Sequence, residues 1–126
     1  MEKILRTIEL EFTILEFHDR FVISRVREES VMSKKQIQDL VEVCADFYKG
    51  KRFVYISKRV NNYNVDPTAY LNLEKFKNLA GIAIVSNKPS AINMAKFEKS
   101  FSKVPYEIFP EMDDALEWTN EVLRTR

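Results

Sequence analysis

Several kinds of chemistry are excluded by what this chain has little of. Cys44 is its only cysteine and His18 its only histidine, so neither an internal disulfide nor a Cys/His zinc set can be assembled. Two glycines, Gly50 and Gly81, cannot supply a glycine-rich phosphate loop, and no nucleophile elbow or metal motif is present. No stretch approaches the ~20 apolar residues of a membrane span. The N-terminal MEKILRTIELEF carries charges every two or three residues, unlike the apolar core of a signal peptide. A cytoplasmic protein with no metal, no cofactor and no integral membrane segment is expected. Charge of one sign is also missing. With 20 Lys plus Arg against 19 Asp plus Glu, the net charge of +1 provides no global field for a polyanion, and nucleic acid is not an expected partner.

What remains is ordinary globular material. The chain has 126 residues, 45% hydrophobic and 31% charged, which suits one domain over residues 1–126 with one proper core. Ile4, Ile8, Leu10, Phe12 and Ile14 alternate with polar residues, the period of a half-buried strand, in one bent strand or two short ones. The apolar parity switches near Leu15 and Phe17. A turn at His18-Asp19-Arg20 then leads to a return strand over 21–26, giving an antiparallel hairpin with a charged outer edge.

Ser33 with Gln36 three residues later forms a capping-box signature. Ile37, Leu40, Val41, Cys44, Phe47 and Tyr48 follow helical spacing from there, and Gly50 supplies the left-handed stop. Phe53 to Ile56 reads as a central strand. Asp66-Pro67 marks a helix start, with Tyr70, Leu73 and Phe76 or Lys77 along one side. GIAIV at 81–85 is a second buried strand, and Pro89-Ser90 opens a helix over 91–102 whose inward stripe is expected to be Met94, Phe97 and Phe101, with Ile92 and Ala95 beside it. Tyr106 to Phe109 is a last strand. The final helix follows Pro110-Glu111, with Met112, Ala115, Leu116, Thr119, Val122 and Leu123 inward and Trp118 against the sheet edge. Alternation of strand and helix predicts an α/β fold with a mixed, mostly parallel sheet, an N-terminal antiparallel hairpin and about four helices.

The closing segment YEIFPEMDDALEW and the middle segment FVYISKRVNNYNVDPTAY resemble the SpoIIAA-like proteins of the STAS superfamily. The resemblance covers nearly the whole chain. It implies a small non-enzymatic module that binds partners or small ligands, in a branch of uncharacterised bacterial proteins. STAS antagonists switch by phosphorylation of a serine at a helix start, and the corresponding place here is Asp66-Pro67-Thr68, with Thr68 as the hydroxyl. The Asp-Ser-Ser-Gly sequence of that switch is absent. Other relatives have been compared with lipid-binding Sec14-type domains, which implies a carrier for a small ligand or lipid as the alternative.

The expected site lies just past the carboxyl end of the 53–56 strand, where open α/β sheets place ligands. Lys58, Arg59, Asn61, Tyr63, Asn64 and Thr68 fall there, with Asn87 emerging at the same sheet edge after the 81–85 strand. Arg59 is expected to hold an anion through its planar fork of donors, oriented by Asn61 and Asn64. The same residues would equally serve a loop that satisfies its own backbone. An unknown protein partner or a small apolar or anionic ligand fits this surface, and the hairpin edge with Tyr63 and Trp118 leaves a homodimer open. His18 reads as a solvent-facing turn residue, Asp66 as a helix cap, and Cys44 as a small hydrophobe on an inward helix face. Lys49, Lys51 and Arg52 read as cations at a helix end.

Overall fold

A computed structural model of the chain describes residues 3–27, 31–59 and 64–124. The expectations placed on Asn61 and Tyr63 lie outside the described residues, and Asn64 enters through its backbone alone. The N-terminal alternation resolves into two short strands, β1 (Arg6–Glu9) and β2 (Thr13–Phe17), followed by β3 (Phe21–Val26). The three form an antiparallel meander. The break falls at residues 10–12, just before the parity switch, so Thr13, Leu15 and Phe17 all face the core.

A two-residue strand β4 (Val31–Met32) precedes helix α1 (Lys34–Tyr48). The predicted capping box is formed, with Gln36 N donating to Ser33 Oγ at 3.2 Å and Ser33 N to Gln36 Oε1 at 3.0 Å. At the other end Lys49 already takes the left-handed conformation at φ 50°, and Gly50 continues it at φ 86°. Tyr48 projects inward, stacking on Phe53 at 4.7 Å while its hydroxyl reaches the carbonyl oxygens of His18 and Phe21 at 2.8 and 2.6 Å. That contact explains a departure from the sequence reading. His18 is 3% exposed and stacks on Phe21 at 4.4 Å, because the hairpin turn is drawn under the end of α1 rather than left in solvent.

Strand β5 (Phe53–Lys58) is parallel to β3, and β7 (Leu79–Val85) and β8 (Tyr106–Phe109) continue the parallel series. The six-stranded order is β1-β2-β3-β5-β7-β8. All seven residues of β7 are buried, as a central strand covered on both faces requires. A separate two-stranded parallel pair joins β4 to β6 (Asn64–Val65).

Between β6 and β7 the expected helix is absent. Two 3-10 turns, Pro67–Tyr70 and Leu73–Lys75, stand in its place, broken by Leu71 in an extended conformation and Asn72 at φ 71°. The start signal is nonetheless used, since Asp66 caps the first turn and Pro67 occupies its first position. Helix α2 (Pro89–Lys99) and helix α3 (Met112–Arg124) complete the chain. Among the described residues, three α-helices and the pair of short turns thus make up the helical part.

One face of the sheet is covered by α1, the 3-10 turns and α2, the other by α3. Gly81 on β7 lies where α3 comes closest, and a Cβ there would stand 2.9 Å from Trp118 Cη2. Trp118 packs on that strand and on Phe109 of the edge strand β8, as expected. Arg52 donates to the carbonyl oxygens of Leu123 and Val122 at 3.2 and 3.4 Å. The helix end it serves is therefore that of α3 rather than of α1, while Lys51 pairs with Asp19 at 2.6 Å. Among the described residues, no helix is long and apolar enough to cross a membrane.

Candidate functional site

Lys58 and Arg59 are adjacent in sequence and both line one cleft, but they are buried to different degrees. Strand pairing holds them at the carboxyl end of β5, where Arg59 N donates to Val85 O at 2.9 Å. Lys58 is half-buried and lines a cleft of about 260 Å³ with Ser86, Asn87 and Lys88, closed by Glu111 and Met112. Because β5, β7 and β8 are parallel, the β7–α2 and β8–α3 connections leave from this same end of the sheet. The start of α2 needs no capping side chain on Lys88, since Ser86 Oγ accepts from Lys88 N at 3.2 Å and Pro89 takes the first helical position. Asn87 is exposed at the mouth.

Arg59 turns inward and is only 4% exposed. Its guanidinium meets the Glu98 carboxylate through both Nη atoms, at 3.0 Å from Nη1 to Oε2 and closer from Nη2 to Oε1. Nη2 also donates to Tyr70 Oη at 3.2 Å, and Tyr106 Oη donates to Glu98 Oε1 at 2.9 Å. The Tyr70 and Tyr106 rings pack edge to face at 5.4 Å. One ionic cluster therefore ties together the end of β5, the first 3-10 turn, α2 and β8. Burial, and then the Glu98 charge beside it, push the Tyr106 phenol upward, so it stays a neutral donor. A buried pair of this kind is satisfied rather than reactive: removing one partner strands the other's charge at a cost of about 3–5 kcal/mol.

This arrangement corrects two expectations. Arg59 does not offer its fork to an external anion, because Glu98 already occupies it. The stripe Met94, Phe97 and Phe101 is not the inward face of α2 either. Ala95 and Glu98 are buried, while Phe97 is 61% exposed and meets Phe101 edge to face at 5.3 Å. The helix is rotated to deliver the carboxylate to Arg59.

At Asp66, the carboxylate accepts from Thr68 N at 3.0 Å and from the Thr68 hydroxyl at 2.7 Å. The hydroxyl bond to Thr68, then the backbone bond, hold the Asp66 carboxyl below its usual 3.8. The dipole argument for a phosphate on Thr68 does not carry over to this geometry. The element is a single four-residue 3-10 turn with little macrodipole, and the neighbouring carboxylate would repel an added phosphate. Cys44 is fully buried, and burial pushes its thiol far up, in keeping with a small hydrophobe. Among the described residues, no three His, Cys, Asp or Glu side chains gather as a metal set.

No protein-family model matches the chain, and no curated protein matches it in sequence. Among solved structures it superposes on an uncharacterised protein of the DUF3478 family with a SpoIIAA-like fold, from Shewanella loihica PV-4. The TM-score is 0.55, with 90% of each chain covered and 11% sequence identity. The chain has a SpoIIAA-like fold. At that identity the likeness is one of fold, and the side chains at the sheet's carboxyl end are this chain's own.

On this SpoIIAA-like sheet, Lys58, Arg59 and Asn87 all line one cleft, with Arg59 almost wholly buried and paired to Glu98, and Thr68 sits apart on the first 3-10 turn. Glu98 was missed by sequence reasoning. A signal for it existed, since Ala91, Ala95, Glu98 and Ser102 recur at helical spacing, and a row of small residues lets a helix approach the sheet closely. A lone carboxylate in such a row implies an inward cation, and Arg59 follows directly on a buried strand.

Proposed function

We propose that the chain is a non-enzymatic, STAS-like regulatory or interaction module, a single domain acting in the cytoplasm, that presents the segment 57–68 to a protein partner. The observation that carries this reading is the Arg59–Glu98 pair. It neutralises the one guanidinium at the carboxyl end of β5 and fastens the start of the segment to α2. The far end is fastened separately, by the β4–β6 pairing and by Asp66 N donating to Met32 O at 3.0 Å. A segment with both ends fixed to the core loses less conformational entropy on docking, which favours recognition. Lys58 and Asn87 stand at the adjoining cleft as polar groups for contact. Affinity capture with the whole chain tests the reading. A partner retained by the parent and lost in Lys58→Ala, Asn87→Ala and Tyr63→Ala variants supports it. No captured partner, together with no cellular phenotype of these variants, overturns it.

A second reading rests on the cleft itself. Its volume and its lysines suit a small anionic or apolar ligand, and the chain would then be a carrier. Native mass spectrometry of freshly purified protein separates the two, since a stoichiometric co-purified mass favours the carrier. The same spectra show whether the chain forms a homodimer.

A further inference from the structure

Two polar groups on the wall of the cleft at the carboxyl end of the sheet are not used up by the fold. Ser86 is only 5% exposed, and its hydroxyl oxygen accepts from Lys88 N at 3.2 Å. The hydroxyl hydrogen has no acceptor among the described residues, so a nearly buried donor remains at the cleft wall. Lys58, half-buried on the same lining, makes no ion pair among the described residues. Glu111 also borders the cleft and stays out of ion-pair reach of Lys58, so the two opposite charges are separated by open space. The cleft is polarised as a result. Its positive side is formed by β5 and the β7–α2 connection, with Lys58 and Lys88, and its negative side by the start of α3, where Asp113 and Asp114 follow Glu111. Arg59 adds no net charge, because Glu98 neutralises it, and the two lysines outnumber Glu111 on the lining.

We infer that this cleft binds a small phosphate monoester with a short hydroxylated carbon chain, its phosphate held by Lys58 and Ser86 and its hydroxyl groups toward Glu111. The inference rests on the carrier reading above and names the ligand's chemistry. A lysine ammonium and a hydroxyl donor suit a phosphate, which accepts from several directions at once. A carboxylate is better matched by the planar fork of an arginine, and the arginine at this cleft is already taken by Glu98. The start of α2 adds to the preference, since no side chain caps it and its dipole favours negative charge. Glu111 can only accept, so it repels the phosphate and receives hydroxyl groups, which fixes the ligand's direction in the cleft. Size sets the length of the chain. At about 260 Å³ the cleft is smaller than the about 300–1,000 Å³ of drug-sized sites, which favours a few carbons over a nucleotide. A free metabolite such as glycerol phosphate and the head group of phosphatidic acid both carry this chemistry.

The test is an NMR titration of the isotope-labelled whole chain with glycerol phosphate, inorganic phosphate and glycerol, and separately with phosphatidylcholine vesicles with and without phosphatidic acid. The expected result is saturable binding of glycerol phosphate, tighter than that of inorganic phosphate, with amide shifts centred on Lys58, Ser86, Asn87 and Lys88 and none from glycerol. Lys58→Gln weakens it about tenfold, and Ser86→Ala several-fold. Glu111→Gln narrows the advantage of glycerol phosphate over inorganic phosphate. Lys58 and Glu111 have no ion pair to lose, so their variants should keep the parent's melting temperature, and matched melting curves verify the comparison. Glycerol phosphate binding without vesicle binding assigns the site to a free metabolite. Tighter binding to phosphatidic acid vesicles, with the same loss in Lys58→Gln, assigns it to a lipid head group. No saturable binding of any phosphate, shifts centred on another surface, or binding unchanged in Lys58→Gln would overturn the assignment. A stoichiometric co-purified mass that carries no phosphate retires the phosphate and leaves the carrier reading standing. No co-purified mass, with no probe shifting the cleft residues, retires both.

Discussion

Helices α2 and α3 lie on opposite faces of one sheet and obey different rules. On α3 the residues that helical spacing turns inward are the ones buried, with Ala115, Thr119 and Leu123 on the sheet and Met112, Leu116 and Val122 beside them. On α2 Phe97 faces solvent and Met94 lies to the side, Phe101 past the helix end packs only partly on the core, and Ala95 and Glu98 face in. The difference traces to what the sheet presents beneath each helix. Under α3 the strands offer Val54, Ile56, Ala83 and Gly81, a smooth apolar floor. Near α2 the end of β5 offers Arg59, whose charge must be matched. Leaving a guanidinium unpaired in the core costs more than exposing one phenylalanine, which forfeits about 1.5–3 kcal/mol of burial. Apolar periodicity decides a helix's orientation only where no buried charge competes.

The largest expected effect breaks α2's side of the comparison. Glu98→Ala leaves Arg59 buried without its carboxylate and should cost about 3–5 kcal/mol in urea unfolding. Replacing both partners together, Arg59→Met with Glu98→Leu, should recover part of that loss, because an apolar pair carries no desolvation penalty while the buried Tyr70 and Tyr106 hydroxyls lose their bonds to the pair. A double variant as unstable as the single one would mean that the pair does not set the orientation of α2.

On α3's side, Gly81→Ala places a methyl group 2.9 Å from the Trp118 ring. Overpacking of that kind costs about 1–3 kcal/mol, and Trp118, the only tryptophan, should report the shift in its fluorescence. Unchanged emission and stability would show that α3 sits less closely on β7 than described.

Phe97→Ser should change stability by no more than about 0.5 kcal/mol, in contrast to any truncation on α3's inward row. The smallest effect concerns Asp66, the cap of the first 3-10 turn. Its carboxyl is held below 3.8 in the folded chain, so its contribution is fully present above that value and is lost as the pH falls through the lower folded value. Asp66→Asn should therefore lower stability slightly in the neutral region, converge with the parent at low pH, and so flatten the acid limb of a stability-versus-pH curve.

Elements whose signals are local were legible in the sequence. The capping box at Ser33 and Gln36, the continuous apolar run of β7 and the Asp66-Pro67 start are each decided within a few residues. The cleft at the end of β5 was legible in place but not in content. Being at the carboxyl end of a parallel strand put Lys58 and Asn87 together in one cleft, as their positions in the chain predicted. Arg59 could not be read the same way. Nothing local tells whether a cation after a strand faces outward or inward, and its partner lies 39 residues away. His18 was hidden for a similar reason, since the tyrosine hydroxyl that draws its turn under α1 lies 30 residues further on.

By itself, then, the sequence determined the strands of the main sheet, the three α-helices and their mixed α/β order, because hydrogen-bonding periodicity and caps act over one or two turns of chain. Only the tertiary structure decided that the region after 66 is a pair of 3-10 turns, that Arg59 belongs to the core, and that α2 shows phenylalanine to solvent. Each depends on matching a charge or a packing surface across the sheet. A buried guanidinium can be satisfied only by a group that the fold itself brings to it.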